Sequence, residues 1–114
     1  MTNLSVNLNR VALLRNSRNI GIPFVNTSAR IVLEAGAYGI TVNPRPDQRH
    51  IRPDDVDGLA ELLGDEFSGA EFNIEGNPFQ PPFMEIVCRV KPTQCTLVPD
   101  VTRCVHFGSW LGCC

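Results

Sequence analysis

Short β-branched or alternating runs recur along this chain, separated by segments of helical spacing, and that alternation limits its fold more than any other feature. Leu4-Ser5-Val6-Asn7-Leu8-Asn9 alternates apolar and polar residues and predicts a strand that ends in polar groups. Val11 to Arg18 follows as a short basic segment, closed by Gly21 and Pro23. Asn26 to Ala35 has helical spacing, with Ala29, Val32 and Ala35 on one stripe beside Ile31 and Gly36 at the C-terminal stop. Ile40-Thr41-Val42 has the β-branched composition of a buried second strand. Asp54 or Asp55 stands where it can cap a helix whose Val56, Leu59, Leu62 and Leu63 share a face. Glu71-Phe72-Asn73-Ile74-Glu75 alternates as a third strand and stops at Gly76. Pro81-Pro82 then opens a helix with Phe83, Ile86, Val87 and Val90 at i, i+3, i+4, i+7 spacing. Cys95-Thr96-Leu97-Val98 is a fourth strand, ended by Pro99.

Strands that alternate with helices imply parallel pairing through right-handed crossovers. An open doubly wound sheet and part of a (β/α)8 barrel both fit this order, and both place ligands at the C-terminal ends of their strands. Polar residues collect there. Asn7 and Asn9 close the first strand, Asn43 and Arg45 the second, and Glu75 the third. The densest group follows the second strand, where Pro44 and Pro46 stiffen a loop carrying Arg45, Asp47, Arg49 and His50. Two guanidiniums and an imidazole on such a loop can cradle a phosphate or carboxylate ester. For an isolated loop, a solvated charged connection is the simpler reading. The polar residues at equivalent strand ends shift the balance toward a ligand site. Glu75 reads equally as a strand-terminal carboxylate reaching water and as a general acid or base facing that mouth.

Other classes lose support. The formal net charge is −2, so bulk electrostatics point to neither nucleic acid nor a membrane surface. No apolar run approaches a membrane span, and the N-terminus has no signal-peptide hydrophobic region, so a cytoplasmic location is expected. The five cysteines begin only at Cys88 and include no C-x-x-C pair, which makes a poor disulfide framework and a poor zinc site. Cys88 and Cys95 are expected as small core residues. Neither a Gly-rich phosphate loop nor a G-x-S-x-G elbow is present. His50 and His106 lie far apart without clustered carboxylates, so no metal is expected.

Several separated segments together resemble the pyridoxine 5′-phosphate synthase family over roughly residues 3 to 100. They are Ser5-Val6-Asn7-Leu8-Asn9, Leu14-Arg15-Asn16-Ser17-Arg18, Glu34 through Val42, Arg45 through Ile51, Asn73-Ile74-Glu75, and Lys91-Pro92 to Thr96-Leu97-Val98-Pro99. The resemblance implies the first half of a (β/α)8 TIM barrel, with four parallel strands and three crossover helices, over residues 1–100. It implies condensation of 1-deoxy-D-xylulose 5-phosphate with 3-amino-1-hydroxyacetone 1-phosphate to pyridoxine 5′-phosphate, in vitamin B6 biosynthesis. No metal or organic cofactor is implied. The partners are phosphorylated small molecules, with no nucleic acid or membrane, and the intact family forms homo-oligomers. Asn7 and Arg18 match positions that bind the amino-ketone phosphate. Arg45 and His50 match positions that bind the deoxyxylulose phosphate. Glu75 matches a catalytic acid/base.

The departures from the family are equally specific. Many members carry Asp-His at the substrate-binding pair occupied here by Asn9-Arg10, while another branch has Asn-Lys. Asn43 stands where the family places a catalytic histidine, and an amide cannot exchange protons near neutral pH. Tyr38 replaces a common aspartate. The four strands make half of a barrel that takes about 250 residues.

From residue 101 to Cys114 the chain departs from the family, holds the single tryptophan and three cysteines, and is expected to be a disordered tail. With suitable codons, His106 to Gly112 displaced by one nucleotide spells Thr-Ser-Asp-His-Gly-Trp, which fits the continuation expected from the family. A frameshift just after Pro99 or Asp100 is the resulting expectation. Two functional classes follow: a pyridoxine 5′-phosphate synthase half, or a catalytically inactive half-barrel that binds phosphate esters or associates with itself.

Overall fold

β2 (Gly39–Val42) is buried at every position and lies between β1 (Ser5–Asn7) and β3 (Glu71–Gly76). β4 (Gln94–Leu97) completes a four-stranded sheet in the order β1-β2-β3-β4, every neighbouring pair parallel. This computed structural model describes residues 3–18, 24–80 and 82–98. Gly21, Pro23, Pro81, Pro99 and the expected tail at 101–114 lie outside the described residues.

The sequential strand order decides between the two architectures left open above. A doubly wound sheet reverses direction at a switch point, whereas a barrel adds each strand beside the last. The molecule is α/β, consistent with a partial (β/α)8 barrel. Three crossovers join the strands, as expected, but the first contains two helices, α1 (Asn9–Arg18) and α2 (Val25–Glu34). The others contain α3 (Pro53–Glu66) and α4 (Phe83–Val90).

The basic segment is therefore helical. Its pattern hides this because α1 buries Ala12 and leaves Leu13 and Leu14 exposed. Asn9 correspondingly opens α1 instead of closing β1. In α2 the buried residues are Val25, Ala29 and Leu33, an i, i+4 series. Ala35, expected on the same stripe as Ala29, and Ile31 beside it are exposed. Gly36 stops the helix as expected, with φ +106° in the region that favours glycine. α3 begins differently from the expectation. Arg52 is its N-cap, Pro53 follows, and Asp55 reaches back so that its Oδ2 accepts the Arg52 amide at 2.9 Å.

The core occupies one side of the sheet. Ile40, Val42, Phe72 and Ile74 pack there with Ala29 and Leu33 of α2, Val56, Leu59 and Leu63 of α3, and Phe83 and Ile86 of α4. Gly39 permits the close approach of β2 and β3, because a Cβ at that position would lie 2.3 Å from the Glu71 carbonyl oxygen. The other side is polar. Ser5 Oγ lies 2.7 Å from Thr41 Oγ1, Asn73 Nδ2 donates to Thr41 Oγ1 at 3.4 Å, and Thr96 Oγ1 donates to Asn73 Oδ1 at 3.0 Å. A chain of hydrogen bonds thus crosses all four strands.

Both outer strands present backbone groups. The Leu4 carbonyl accepts from Tyr38 N at 2.8 Å and Leu8 N donates to the Thr41 carbonyl at 3.0 Å. Alternation along β1 then turns the amides and carbonyls of Ser5 and Asn7 toward the open edge. Val98 N donates to the Gly76 carbonyl at 2.9 Å, so Cys95 and Leu97 turn theirs outward from β4. Cys88 and Cys95 are exposed, contrary to the expectation of core positions. Cys88 lies away from the buried Phe83–Ile86 side of α4, and Cys95 lies on an outer strand with one strand neighbour.

Candidate active site at the strand ends

The site begins where β1 turns into α1. Asn7 Oδ1 accepts the Asn9 amide at 2.7 Å, a local bond that lets the helix start two residues after the strand. Asn9 Oδ1 in turn accepts the Asn43 amide at 2.9 Å. Two residues expected to touch substrate therefore also knit the ends of β1 and β2 together. Asn9 commits its carbonyl oxygen to the backbone and keeps its amide group as a donor.

The sheet register sets Asn43 and Glu75 at one height. Val42 pairs with Ile74, so the next residues in each strand direction, Asn43 and Glu75, follow at the same level on strands about 5 Å apart. Glu75 pairs with Thr96 on its other side. Its carboxyl is partly withdrawn from water, and this desolvation pushes its pKa up from the ordinary carboxylate value. A carboxyl of this kind holds its proton to higher pH than an exposed one, as a group that must both give and take protons requires.

This shift has a stability consequence. Between the unfolded and the raised folded pKa the folded chain binds a proton that the unfolded chain has released, so stability falls as pH rises through that window. Glu75→Gln is accordingly expected to melt higher than the parent at pH 7. The difference should close below about pH 4, where both forms of the parent are protonated. Thermal melts across pH measure this directly, and an unchanged gap would show that the carboxyl carries no burial cost.

The loop after β2 is less open than its sequence implies. Pro44 is buried and the Arg45 side chain is only 17% exposed. Asp47 lies between two arginines, its Oδ2 3.5 Å from Arg45 Nε and 3.1 Å from Arg49 Nε. Desolvation alone would raise the pKa of Asp47. The Arg49 amide bond and the charges of Arg45 and Arg49 together outweigh it and hold the carboxyl below its ordinary value. The expected cationic cradle thus already contains one internal carboxylate.

His50 is oriented by its own backbone, with Nδ1 accepting the Ile51 amide at 2.9 Å. An acceptor at Nδ1 puts the ring proton of the neutral imidazole on Nε2. The His50 carbonyl receives Arg15 Nη2 at 3.3 Å and Asn16 Nδ2 at 2.9 Å. Arg15 itself grips Asp55 through two bonds, Nη1 to Oδ1 at 2.6 Å and Nη2 to Oδ2 at 2.9 Å. That bond to Asp55 is the main reason the Arg15 guanidinium is held more firmly protonated than usual. Sequence reasoning gave Arg15, Asn16 and Asp55 no part in this site. The helix-initiating position of Asp55 was visible, but its partner forty positions earlier was not.

Hydrogen bonds thus join Asn7, Asn9 and Asn43, and the loop gathers Arg45 and His50. Glu75 joins the same end near the close of β3 and Arg10 in the first turn of α1, whereas Arg18 is the last residue of that helix, two positions beyond Asn16. Arg10 and Arg18 are exposed on α1, and that helix lies along the loop from Asn9 to Asn16. Among the described residues, no group of three His, Cys, Asp or Glu side chains could hold a metal ion. No described helix is long and apolar enough to cross a membrane.

Comparison with known proteins follows the same line. Residues 4–106 match the family described as "Pyridoxal phosphate biosynthesis protein PdxJ", a match that runs six residues past the boundary expected near residue 100. A pyridoxine 5′-phosphate synthase of Xanthomonas campestris pv. campestris (strain B100) is 54% identical over 105 residues, covering 87% of this chain and 40% of the relative. That of Rhizobium meliloti (strain 1021) is 55% identical over 97 residues, covering 85% of this chain and 38% of the relative. That of Xylella fastidiosa (strain M12) is 54% identical over 105 residues, with the same 87% and 40% coverage as the first. The chain spans about 40% of the length of these curated relatives.

Proposed function

The chain belongs to the PdxJ family, and from that premise we propose that it carries the amino-terminal part of a pyridoxine 5′-phosphate synthase site. The reaction condenses 1-deoxy-D-xylulose 5-phosphate with 3-amino-1-hydroxyacetone 1-phosphate, in the cytoplasm, without metal or organic cofactor. The observation that carries this reading is the gathering of Asn7, Asn9, Asn43, Arg45, His50 and Glu75 at one end of a parallel sheet. Arg45 and His50 hold the phosphate of the deoxyxylulose substrate. Asn7 and Arg18 hold that of the amino-ketone, with Asn9 and Arg10 completing the contacts. Glu75 cycles a proton during the dehydrations, its raised pKa keeping the neutral form within reach. Asn43 donates or accepts a hydrogen bond where the family uses an imidazole, and supplies no proton. Residues 1–100 form the half-barrel, with 101–114 a separate tail.

Titration of the chain with 1-deoxy-D-xylulose 5-phosphate tests the assignment. Arg45→Ala removes a charge-assisted bond, and a loss of about 2 kcal/mol corresponds to binding weakened some 30-fold. Arg30→Ala is the control, since Arg30 pairs with Glu66 between α2 and α3. Equal affinity for the parent and Arg45→Ala would remove Arg45 from the phosphate site.

A second reading, an inactive half-barrel that closes by pairing with another copy, is favoured by one observation. The outward backbone groups of Cys95 and Leu97 on β4 complement those of Ser5 and Asn7 on β1, and Leu97 and Leu4 beside them are 60% and 64% exposed. Two such edges paired twice would close eight strands. Light scattering of the 114-residue chain is expected to give a dimer or larger species. A cooperatively melting monomer would exclude this closure.

A further inference from the structure

We propose that Arg15, Asn16 and Asp55 form a positioning clamp that fixes the aim of His50 and its spacing from Arg18. The inference rests on the phosphate-binding roles proposed above, but its geometry stands on its own. Arg15 and Asp55 meet in a two-pronged ion pair with side chains only 11% and 12% exposed. Withdrawing such a pair from water costs desolvation that its attraction does little more than repay, so its contribution is chiefly orientation. The orientation is delivered to one short stretch of backbone. Asn16 Nδ2 donates to the carbonyls of Arg49 at 3.1 Å and His50 at 2.9 Å, and Arg15 Nη2 adds a bond to the His50 carbonyl at 3.3 Å.

Asn16 is aligned by the same guanidinium, its Oδ1 accepting Arg15 Nε at 3.1 Å and Nη2 at 2.9 Å. Asp55 Oδ2 also accepts the Arg52 amide at 2.9 Å, so the far end of the segment is tied to the start of α3. Ile51, between the two anchors, is fully buried. The backbone from Arg49 to Arg52 is thereby held at both ends, and the Ile51 amide is aimed at His50 Nδ1. That bond places the imidazole proton on Nε2, the nitrogen that can then donate to a phosphate oxygen. On the other side of the clamp, Arg18 lies one turn beyond Arg15 on α1, so the two share a helix face. One ion pair therefore sets both the donor tautomer of His50 and the separation of two cationic or donor groups that hold different phosphates.

Nitrogen-15 NMR of the histidine side chains of the full chain tests the clamp. The sequence has two histidines, and His106→Gln identifies the His50 signals. In the parent, Nδ1 should report an acceptor and Nε2 a protonated nitrogen. Asn16→Ala, which removes no charge from the buried pair, should give a mixture of tautomers. It should also bind 1-deoxy-D-xylulose 5-phosphate at least tenfold more weakly, although Asn16 touches no phosphate in this reading. Arg15→Lys keeps the charge but not the fork, and should resemble Asn16→Ala.

A folded Asn16→Ala whose His50 signals match the parent would overturn the clamp. A changed tautomer with unaltered affinity would overturn its role in binding. A parent that binds none of the phosphate ester while its tautomer responds to Asn16→Ala would overturn the proposed function and support the clamp as a backbone device.

Discussion

Supplied with 1-deoxy-D-xylulose 5-phosphate and 3-amino-1-hydroxyacetone 1-phosphate, the 114-residue chain is expected to release no pyridoxine 5′-phosphate. Two separate deficits lead to this. In the proposed site Asn43 offers an amide where the family resemblance implies a proton-transferring histidine, and general acid–base assistance is worth about 10²- to 10⁴-fold. The described sheet also lines only one wall of the mouth, so water reaches both substrates and the charges on Arg45 and Glu75 act in a screened environment.

Four polypeptides separate the two deficits: the chain, its Asn43→His variant, a chimera placing residues 4–98 in a full-length relative, and that chimera with Asn43→His. The first two should be silent. The chimera should bind both substrates and turn over slowly, and Asn43→His should then raise its rate by about 10²- to 10⁴-fold. Turnover by the 114-residue chain that disappears in Glu75→Gln would show that half of the site is sufficient.

The largest stability effect is expected in β3. Ile74 is 0% exposed, between β2 and β4 and beneath the helices, and Ile74→Ala leaves a cavity with no solvent route to fill it. A loss of about 4 kcal/mol is expected, from the transfer of the removed carbons and incomplete collapse around them. Ile31 makes the contrasting case. It is 60% exposed on α2, and Ile31→Ala should cost no more than about 0.5 kcal/mol. Urea denaturation reads both as shifts in midpoint at constant slope. A large effect at Ile31 would mean that its face of α2 is covered by another chain in solution.

Those two isoleucines also mark how far the sequence could be read. The strands and the helices α3 and α4 were legible because Phe72 and Ile74, or Val56, Leu59 and Leu63, meet the core at a single clear period. In α2 two apolar series cross at Ala29, and sequence alone continued from there through Val32 and Ala35, whereas the buried series runs through Val25, Ala29 and Leu33. α1 escaped because it meets the rest of the chain largely through Asn9, Arg15 and Asn16, with Ala12 its one buried residue, and polar contacts leave no apolar period. Strand-end residues such as Asn43, Arg45 and Glu75 could be located from the strands that precede them. The Arg15–Asp55 pair could not, because its members belong to separate elements and pair through tertiary geometry. The exposure of Cys88 and Cys95 was equally invisible, since a small thiol fits a core or an edge and only the layout of neighbours decides.

The hydrogen-bond chain from Ser5 through Thr41 and Asn73 to Thr96 has an effect beyond the residues it joins. Sliding β2 or β3 by one residue would thrust a hydroxyl or amide among Leu59, Leu63 and Ile86 and turn an isoleucine or phenylalanine out toward water. Both penalties arrive together, so β2 and β3 have one permitted alignment. Asn73 is fixed two residues below Glu75, and Thr41 two below Asn43. The matched height of Asn43 and Glu75 is therefore inherited from a layer beneath them. A substitution there, such as Thr41→Val, would remove the bonds to Ser5 and Asn73 and loosen the matched height of Asn43 and Glu75 without touching either residue.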